Sequence, residues 1–264
     1  MLECVVNVSE GRDTALLDAL SAAAGAGLLD RHEDPDHHRS VFTLLGQQAP
    51  RQLARRAVAL LDLGRHAGVH PRLGVVDVVP FVPLGETALP DAVAARDAFA
   101  AWAAAELGLP CFHYGPERTL PEVRRRAFVD LAPDAGPPAP HPTAGACCVG
   151  ARPALVAYNV WLAQPNLALA QAVAAAVRSP AVRALGLACG QRVQVSMNLI
   201  DPLGTGPEQA FDAVAALAPV AGAELVGLLP AAVLERVPPD RFTELGLSSD
   251  RTIEARVAGT KAGR

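Results

Sequence analysis

Residues 65–83 read RHAGVHPRLGVVDVVPFVP, a polar segment followed directly by an apolar one. Residues 75–83 are almost continuously apolar and β-branched, as is typical of a strand buried on both faces of a sheet. The ten residues before them, 65–74, hold two histidines and two arginines among glycine and proline, which disfavour a helix. We therefore predict a loop that leads into a buried strand, a place where a rigid scaffold holds reactive side chains.

The chain as a whole has 264 residues and a mass of 27.4 kDa, enough for one large core or two smaller ones. Apolar residues make up 51% of it but aromatic residues only 4%, so alanine, valine and leucine must fill the core. The net charge of −4 argues against a basic face for nucleic acid. Small molecules are therefore the expected partners.

The N-terminus, MLECVVNVSEGRD, lacks the basic start and apolar core of a signal peptide. No apolar run reaches the roughly 18 residues needed to cross a bilayer. The five cysteines are odd in number and lack CxxC spacing, which argues against a disulfide framework and a structural zinc site. We expect a cytoplasmic protein with buried free thiols and no membrane partner.

Strands and helices are mixed along the chain, which predicts an α/β (α+β) fold with two subdomains, residues 1–150 and 151–264. We expect each subdomain to be a mixed sheet layered with helices, ferredoxin-like in character. In the first we predict strands at 4–7, 27–30, 41–46, 75–83 and 110–114, and helices at 14–24, 51–63 and 91–107. In the second we predict strands at 155–162, 186–189, 192–200 and 223–229, and helices at 167–177, 208–218 and 251–257.

The end of the first subdomain is rich in proline. Residues 131–142 contain five prolines, too many for a helix or a central strand, so this segment is expected to be extended and stiff. The small residues at 143–150 would let the backbone approach a ligand closely. Composition alone favours an interdomain linker.

His66 and His70 have the HxxxH spacing that places two zinc ligands on one helical face. Ala67 stands where a zinc protease needs a glutamate, Gly68 weakens a helix, and Pro71 biases His70 away from helical geometry. We expect no metal here. A general acid or base is better supported, since imidazole exchanges protons near neutral pH.

Two further segments are candidate sites. Residues 30–39, DRHEDPDHHR, form either a solvated turn, a metal site without a specific spacing, or a loop whose Arg39 anchors a carboxylate. Residues 3–11, ECVVNVSEG, could offer polar groups to a ligand at a sheet edge. Equally, Ser9 could be an N-cap and Gly11 a turn residue.

Four blocks together resemble the formiminotransferase domain of formiminotransferase-cyclodeaminase: ECVVNVSEGRD, DPDHHRSVFT, RHAGVHPRLGVVDVVPFVPL and PDAGPPAPHPTAGACCVGAR. Fainter similarity continues through ALVAYNVWL, QVSMNLIDP and ELVGLLP. The resemblance implies a glutamate formimidoyltransferase activity in histidine metabolism. Such an enzyme moves a formimidoyl group from N-formimidoyl-L-glutamate to tetrahydrofolate, giving 5-formimidoyltetrahydrofolate and L-glutamate.

The resemblance also implies roles for individual residues. His70 would be the general acid/base, tetrahydrofolate the co-substrate, and the active form a homodimer. The implied folate-binding residues are Pro138, Ala139, Pro140, His141, Pro142, Thr143, Ala144, Gly145, Ala146 and Cys147. Our own choice for the donor substrate is Arg39 and Arg72, on charge and position, with His32 and His66 beside them.

One departure from the family concerns His32, because family members tend to have an acidic residue there. Glu33 or Asp34 could substitute for it. Other functions remain open from the sequence: a related transferase with a formyl or another formimidoyl donor, a folate-binding protein without turnover, or a metal hydrolase.

Overall fold

The computed structural model describes residues 1–68 and 71–262, which form two compact units, Met1–Pro153 and Ala154–Arg264. The first unit has a six-stranded mixed sheet, and the second has a four-stranded antiparallel sheet. Helices pack against each sheet. The predicted α/β (α+β) class is therefore confirmed.

The first unit alternates strands and helices from its start. Its strands are β1 Leu2–Val8, β2 Leu28–Asp34, β3 Arg39–Leu45, β4 Val76–Pro83, β5 Cys111–Tyr114 and β6 Cys147–Ala151. Its helices are α1 Thr14–Ala24, α2 Gln48–Leu60, α3 Leu89–Leu107 and α4 Leu120–Arg126.

The first sheet has the strand order β2-β3-β1-β4-β6-β5. β1 is antiparallel to both neighbours, β3 and β4, whereas β4, β6 and β5 run parallel. The first four strands with α1 and α2 follow the β-α-β-β-α-β order of a ferredoxin-like unit, to which β6 and β5 are added beyond β4.

The two faces of this sheet have different surroundings. Cys4 and Val6 of β1 and Phe42 of β3 are buried in one apolar cluster with residues of α1, α2 and α3. Since successive residues of a strand alternate between faces, Asn7 and Thr43 lie on the opposite face. Part of that face, around Phe112 and Cys148, packs with Val123 of α4, and the part around Asn7 and Thr43 is called the polar face here.

The second unit is ferredoxin-like in the same sense. Its elements are β7 Val156–Leu162, α5 Leu167–Val177, β8 Val182–Cys189, β9 Arg192–Leu199, α6 Pro207–Ala215, β10 Val220–Val226, α7 Ala231–Leu234 and α8 Ile253–Ala262. The strand order is β10-β7-β9-β8. Val160 of β7 and Val195 of β9 face α5 and α6 in its core, so Trp161 and Gln194, paired in register, lie on the other face.

Three local features differ from the sequence-based expectation. Helix α2 ends at Leu60 and not at residue 63 as predicted, because residues 61 and 62 are extended and Gly64 lies in a short 3₁₀ turn. The small residues thought to belong to a linker include β6, which lies between β4 and β5. Helix α4 was not predicted, since Val123 is its single fully buried residue.

Among the described helices, none is both long enough and apolar enough to cross a membrane.

Candidate functional site

A buried ion-pair network occupies the polar face of the first sheet. Asp77 of β4 is fully buried, and its Oδ2 lies 2.7 Å from Nη1 of Arg39 on β3 and 2.6 Å from Nη2 of Arg124 on α4. Asn7 of β1 accepts hydrogen bonds from the same Arg39 through its Oδ1, at 3.2 Å from Nε and 2.9 Å from Nη2. Three strands and one helix therefore meet at these charges.

The electrostatics of this network favour an anion. Burial by itself raises the pKa of Asp77, but Arg39 and Arg124 outweigh it, so this pKa lies below its ordinary value. Arg72 is near enough for its own pKa to be lowered, first by burial and then by Arg39 and Arg124. Three guanidiniums thus surround one buried carboxylate, which leaves an excess of positive charge.

Residues 65–74, here called the histidine loop, are attached to this network at their C-terminal side. The backbone N–H of Leu73 donates to Oδ1 of Asp77 at 2.8 Å, and Nη1 of Arg124 donates to the carbonyl of Pro71 at 2.6 Å. Gly74 fits because it has no side chain: a Cβ there would lie 2.3 Å from the carbonyl oxygen of Ala146. The buried strand β4 therefore fixes where this end of the loop lies.

The N-terminal side of the histidine loop contacts the turn between β2 and β3. Nδ1 of His38 lies 3.1 Å from the carbonyl oxygen of Ala67, and Nε2 of His66 lies 2.8 Å from the carbonyl oxygen of His38. The rings of His38 and His66 stack with centroids 4.1 Å apart. His38 also contacts Glu10, whose Oε1 lies 3.1 Å from its Nε2.

His66 lies beside the guanidinium of Arg72. Burial lowers its pKa below the ordinary value, and the positive charge of Arg72 adds to this, against the hydrogen bond to the His38 carbonyl, which raises it. Nη1 of Arg72 lies against the His66 ring, 2.6 Å from Nδ1 and also in contact with Nε2. The guanidinium of Arg72 and the imidazole of His66 therefore pack directly together.

The implied folate-binding residues, 138–147, change from exposed to buried along their length. Residues 138–140 are exposed, whereas 144–147 are buried and lead into β6. Residues 141 and 145 exchange two backbone hydrogen bonds of 2.8 and 3.0 Å, and Gly145 has a left-handed φ of 71°. The N–H of Val75 donates to the carbonyl of Ala144 at 3.0 Å, so this turn lies directly beside the histidine loop.

The structure brings several predicted residues together and leaves others apart. Arg39, Arg72 and His66 belong to one set of contacts around the histidine loop. His32 of β2 is paired in register with Val41 of β3, so these two side chains lie on the same face of the sheet. His70, the implied acid/base, lies outside the described residues, between Gly68 and Pro71.

Four residues of the site were not identified individually from the sequence: Asp77, Arg124, Glu10 and Asn7. Asp77 carried a usable signal, because a lone carboxylate inside an apolar strand needs a buried cation as partner. Glu10 and Asn7 lie within the flagged segment 3–11. Arg124 carried no signal, because its helix was not predicted and two further arginines follow it.

The buried thiols are unsuited to nucleophilic chemistry. Burial raises the pKa of Cys4 and Cys147 well above the ordinary value and that of Cys111 to about 12. Thiols with such pKa values are protonated at neutral pH and are poor nucleophiles. Within residues 1–68 and 71–262, no three His, Cys, Asp or Glu side chains converge as a metal site would require.

The second unit carries a polar residue in an apolar setting. Gln194 of β9 is 1% exposed, and neither atom of its amide has a hydrogen-bond partner among the described residues. On the neighbouring strand, the ring of Trp161 is covered by the guanidinium of Arg192, 4.0 Å from the ring centroid. A carboxamide buried in this way is able to bind a ligand that offers both a donor and an acceptor.

Comparison with known proteins gives consistent matches over both units. Residues 1–152 match the family model described as the formiminotransferase domain, N-terminal subdomain. Glutamate formimidoyltransferase of Streptococcus pyogenes serotype M1 is 36% identical over 270 residues, covering 89% of this chain and 90% of that protein. Glutamate formimidoyltransferase of Thermoplasma acidophilum is 32% identical over 268 residues, covering 87% and 88%.

A second kind of relative is longer. Formimidoyltransferase-cyclodeaminase of Sus scrofa is 34% identical over 272 residues, which cover 87% of this chain but 50% of that protein. The chain therefore spans about half the length of these two-activity relatives. Its similarity to them concerns one part of their sequence.

Proposed function

The chain belongs to the formiminotransferase family, and on that premise we propose that it transfers a formimidoyl group from N-formimidoyl-L-glutamate to tetrahydrofolate. The products are 5-formimidoyltetrahydrofolate and L-glutamate, as in histidine degradation. The observation that carries this proposal is the match to glutamate formimidoyltransferases along about nine-tenths of both chains.

The proposed acid/base group is His70. A folate nitrogen attacks the amidine carbon of the donor, and a tetrahedral intermediate forms. The incoming nitrogen must then lose a proton, while the departing glutamate nitrogen must gain one. A single imidazole held between the two nitrogens carries out both transfers. Support comes from the neighbouring residues, because Gly68 and Pro71 on either side of the undescribed pair 69–70 are both held by the scaffold.

The donor carries two carboxylates, and we propose that the arginine-rich face receives them. Arg72 is our leading choice, with Arg39 contributing mainly charge because its guanidinium already binds Asp77 and Asn7. His66 would hold Arg72, and His32 would lie at the edge of the donor site. Support comes from the excess of guanidiniums over carboxylates at this face.

For tetrahydrofolate we propose contacts along residues 138–147, where the exposed part would meet the ring system. We further propose that the protein works in the cytoplasm, as a homodimer, without a metal ion. Support for the folate contacts is the direct backbone contact between this segment and the start of β4. It would bring the folate nitrogen close to the histidine loop.

The test is a reaction of purified protein with N-formimidoyl-L-glutamate and tetrahydrofolate, without added metal, followed by absorbance and mass spectrometry. We expect a formimidoyl-folate product and a loss of about 10²-fold or more in rate for His70→Ala, with folate binding retained. His113→Ala is the matched control, because its ring lies near Asp97 of α3, on the other face of the sheet.

Two results would contradict the proposal. Folate binding without product from this donor would indicate a different formyl or formimidoyl donor, or a binding protein without turnover. Full activity of the His70→Ala variant would assign the proton transfer to another group.

A further inference from the structure

His38 lies at the centre of the contacts between the β2–β3 turn and the histidine loop. Its Nδ1 lies 3.1 Å from the carbonyl oxygen of Ala67, while its own carbonyl accepts from Nε2 of His66 at 2.8 Å. The two imidazoles stack with an interplanar angle of 25°. The turn and the loop thus hold each other through a reciprocal pair of hydrogen bonds.

The ring of His38 is itself held by Glu10. Oε1 of Glu10 accepts from the backbone N–H groups of Gly11, Arg12 and Asp13 at 2.8, 2.7 and 3.0 Å, and it lies 3.1 Å from Nε2 of His38. Burial raises the pKa of Glu10, but these N–H groups and His38 together lower it by more than burial raises it, so the carboxylate is ionised. A fixed anion therefore determines the orientation of the ring.

The backbone of His38 is also unusual. Its φ of 51° is left-handed, a conformation that is uncommon outside glycine, although asparagine, aspartate and histidine adopt it more often than other residues. This conformation turns the His38 carbonyl toward His66 and the side chain toward Ala67. A strained residue that makes two specific contacts points to a positional role.

Packing at Gly68 continues these contacts to the edge of the undescribed pair 69–70. A Cβ on Gly68 would lie 2.6 Å from the carbonyl oxygen of His37 and 2.9 Å from Cε1 of His66. The backbone of residue 68 therefore rests directly on the β2–β3 turn. Whatever fixes Ala67 therefore also constrains the backbone at Gly68.

We propose that His38 is a positioning residue for the transfer reaction, and that its Nδ1–H bond to the Ala67 carbonyl holds the histidine loop against the β2–β3 turn up to Gly68. This inference rests on the proposed function. A neutral imidazole has one N–H and donates either to Ala67 or to Glu10, whereas an imidazolium donates to both. The two contacts can be separated by substitution, because each nitrogen has its own amide mimic.

The experiment compares three variants. In His38→Asn the amide nitrogen occupies the place of Nδ1 and reaches Ala67; in His38→Gln it occupies the place of Nε2 and reaches Glu10. His38→Gly removes both contacts but adopts a positive φ without strain. We expect His38→Asn to keep kcat within about threefold, while His38→Gln and His38→Gly lose about tenfold or more with little change in either KM, since misplacing a reacting group lowers kcat.

Three results would overturn the proposal. If His38→Gln is active and His38→Asn is not, the Glu10 contact matters instead of the Ala67 contact. If all three variants lose kcat equally, the loss does not depend on the contact with Ala67. If none loses activity, His38 positions nothing.

Hydrogen exchange supplies a readout that does not depend on the reaction. We expect faster exchange in the peptide 63–75 for His38→Gln and His38→Gly but not for His38→Asn, with α3 as the internal reference. Unchanged exchange in all variants would overturn the positional role. If the wild-type protein made no product, the proposed function would fail while this exchange measurement still decided whether His38 holds the loop.

Discussion

Arg39 and Asp77 form an ion pair although they lie on two strands that are separated by a third. Arg39 begins β3 and Asp77 lies in β4, and β1 runs between these strands, yet Nη1 of Arg39 is 2.7 Å from Oδ2 of Asp77. The long arginine side chain crosses β1 and binds Asn7 on the way. These contacts link β3, β1 and β4 across the polar face of the first sheet, in a direction perpendicular to the strands.

Replacing Asp77 with asparagine should be strongly destabilising. The change leaves the guanidiniums of Arg39 and Arg124 without their buried counter-charge, and breaking a buried pair costs about 3 kcal/mol or more. Urea unfolding at neutral pH measures this loss in the free energy of unfolding. Asp18→Asn is the control, because Asp18 pairs with Arg31 at a similar 2.7 Å but is largely exposed, and should cost less than about 1 kcal/mol. Equal effects would mean that burial does not strengthen the Asp77 pair.

The stability difference between the wild type and Asp77→Asn should depend on pH in one direction. The pKa of Asp77 is lowered in the folded state, so the unfolded chain takes up the proton first as the pH falls. The difference in the free energy of unfolding should be constant from about pH 8 to about pH 5 and shrink below about pH 4. Urea unfolding at several pH values tests this. A difference that already shrinks near pH 6 would show a raised pKa instead.

Arg124→Lys should lower activity without unfolding the protein. Arg124 donates to the Pro71 carbonyl and to Asp77 through two different nitrogens, and a lysine offers one ammonium, which cannot serve both. We expect kcat/KM for formimidoyl transfer to fall about tenfold, because the C-terminal side of the histidine loop loses an anchor. Arg125→Lys, exposed on the same helix, is the control for steady-state kinetics. If the two variants had the same kcat/KM, Arg124 would have no part in positioning the histidine loop.

Gln194→Leu should stabilise the second unit. A buried amide without partners costs about 1–3 kcal/mol, and leucine has a similar size without polar atoms, so the free energy of unfolding should rise by about 1 kcal/mol. Gln171→Leu on the exposed side of α5 should change it by less than about 0.5 kcal/mol. A destabilised Gln194→Leu protein would mean that the amide has a partner in solution. Isothermal titration calorimetry with tetrahydrofolate would then show whether the Gln194→Leu protein has lost affinity for this compound.

The local signals in the sequence were sufficient where they rest on capping chemistry. Helix α1 occupies the predicted residues 14–24, because Asp13 accepts from the N–H of Leu16 at its start and Gly25, with its positive φ, follows its end. The helix predicted at 51–63 was too long at its end, because Gly64 lies in a turn held by Asp62 and does not cap a helix. The strand β6 could not be predicted, because its small residues form a strand only through pairing with β4 and β5.

The candidate site was predictable in its parts but not in its connections. The sequence singled out the histidine loop and the segment 30–39, and the structure shows that these two contact each other through His38 and His66. Side-chain pairs of this kind depend on which strands are neighbours, and strand order has no local signature. The role of His70 and the folate contacts at 138–147 stay predictions.

The ion pair across β1 has a consequence for how the chain is made. β1 is synthesised first, but β4, which carries Asp77, follows only after residue 75. Contacts between residues so distant in sequence form late, because the entropy of closing the intervening chain must be overcome first. Until then the arginines of the future site remain hydrated and apart. A nascent or partly degraded first unit would therefore lack the proposed donor site, and we expect substrate binding to report on completed folding of the whole sheet.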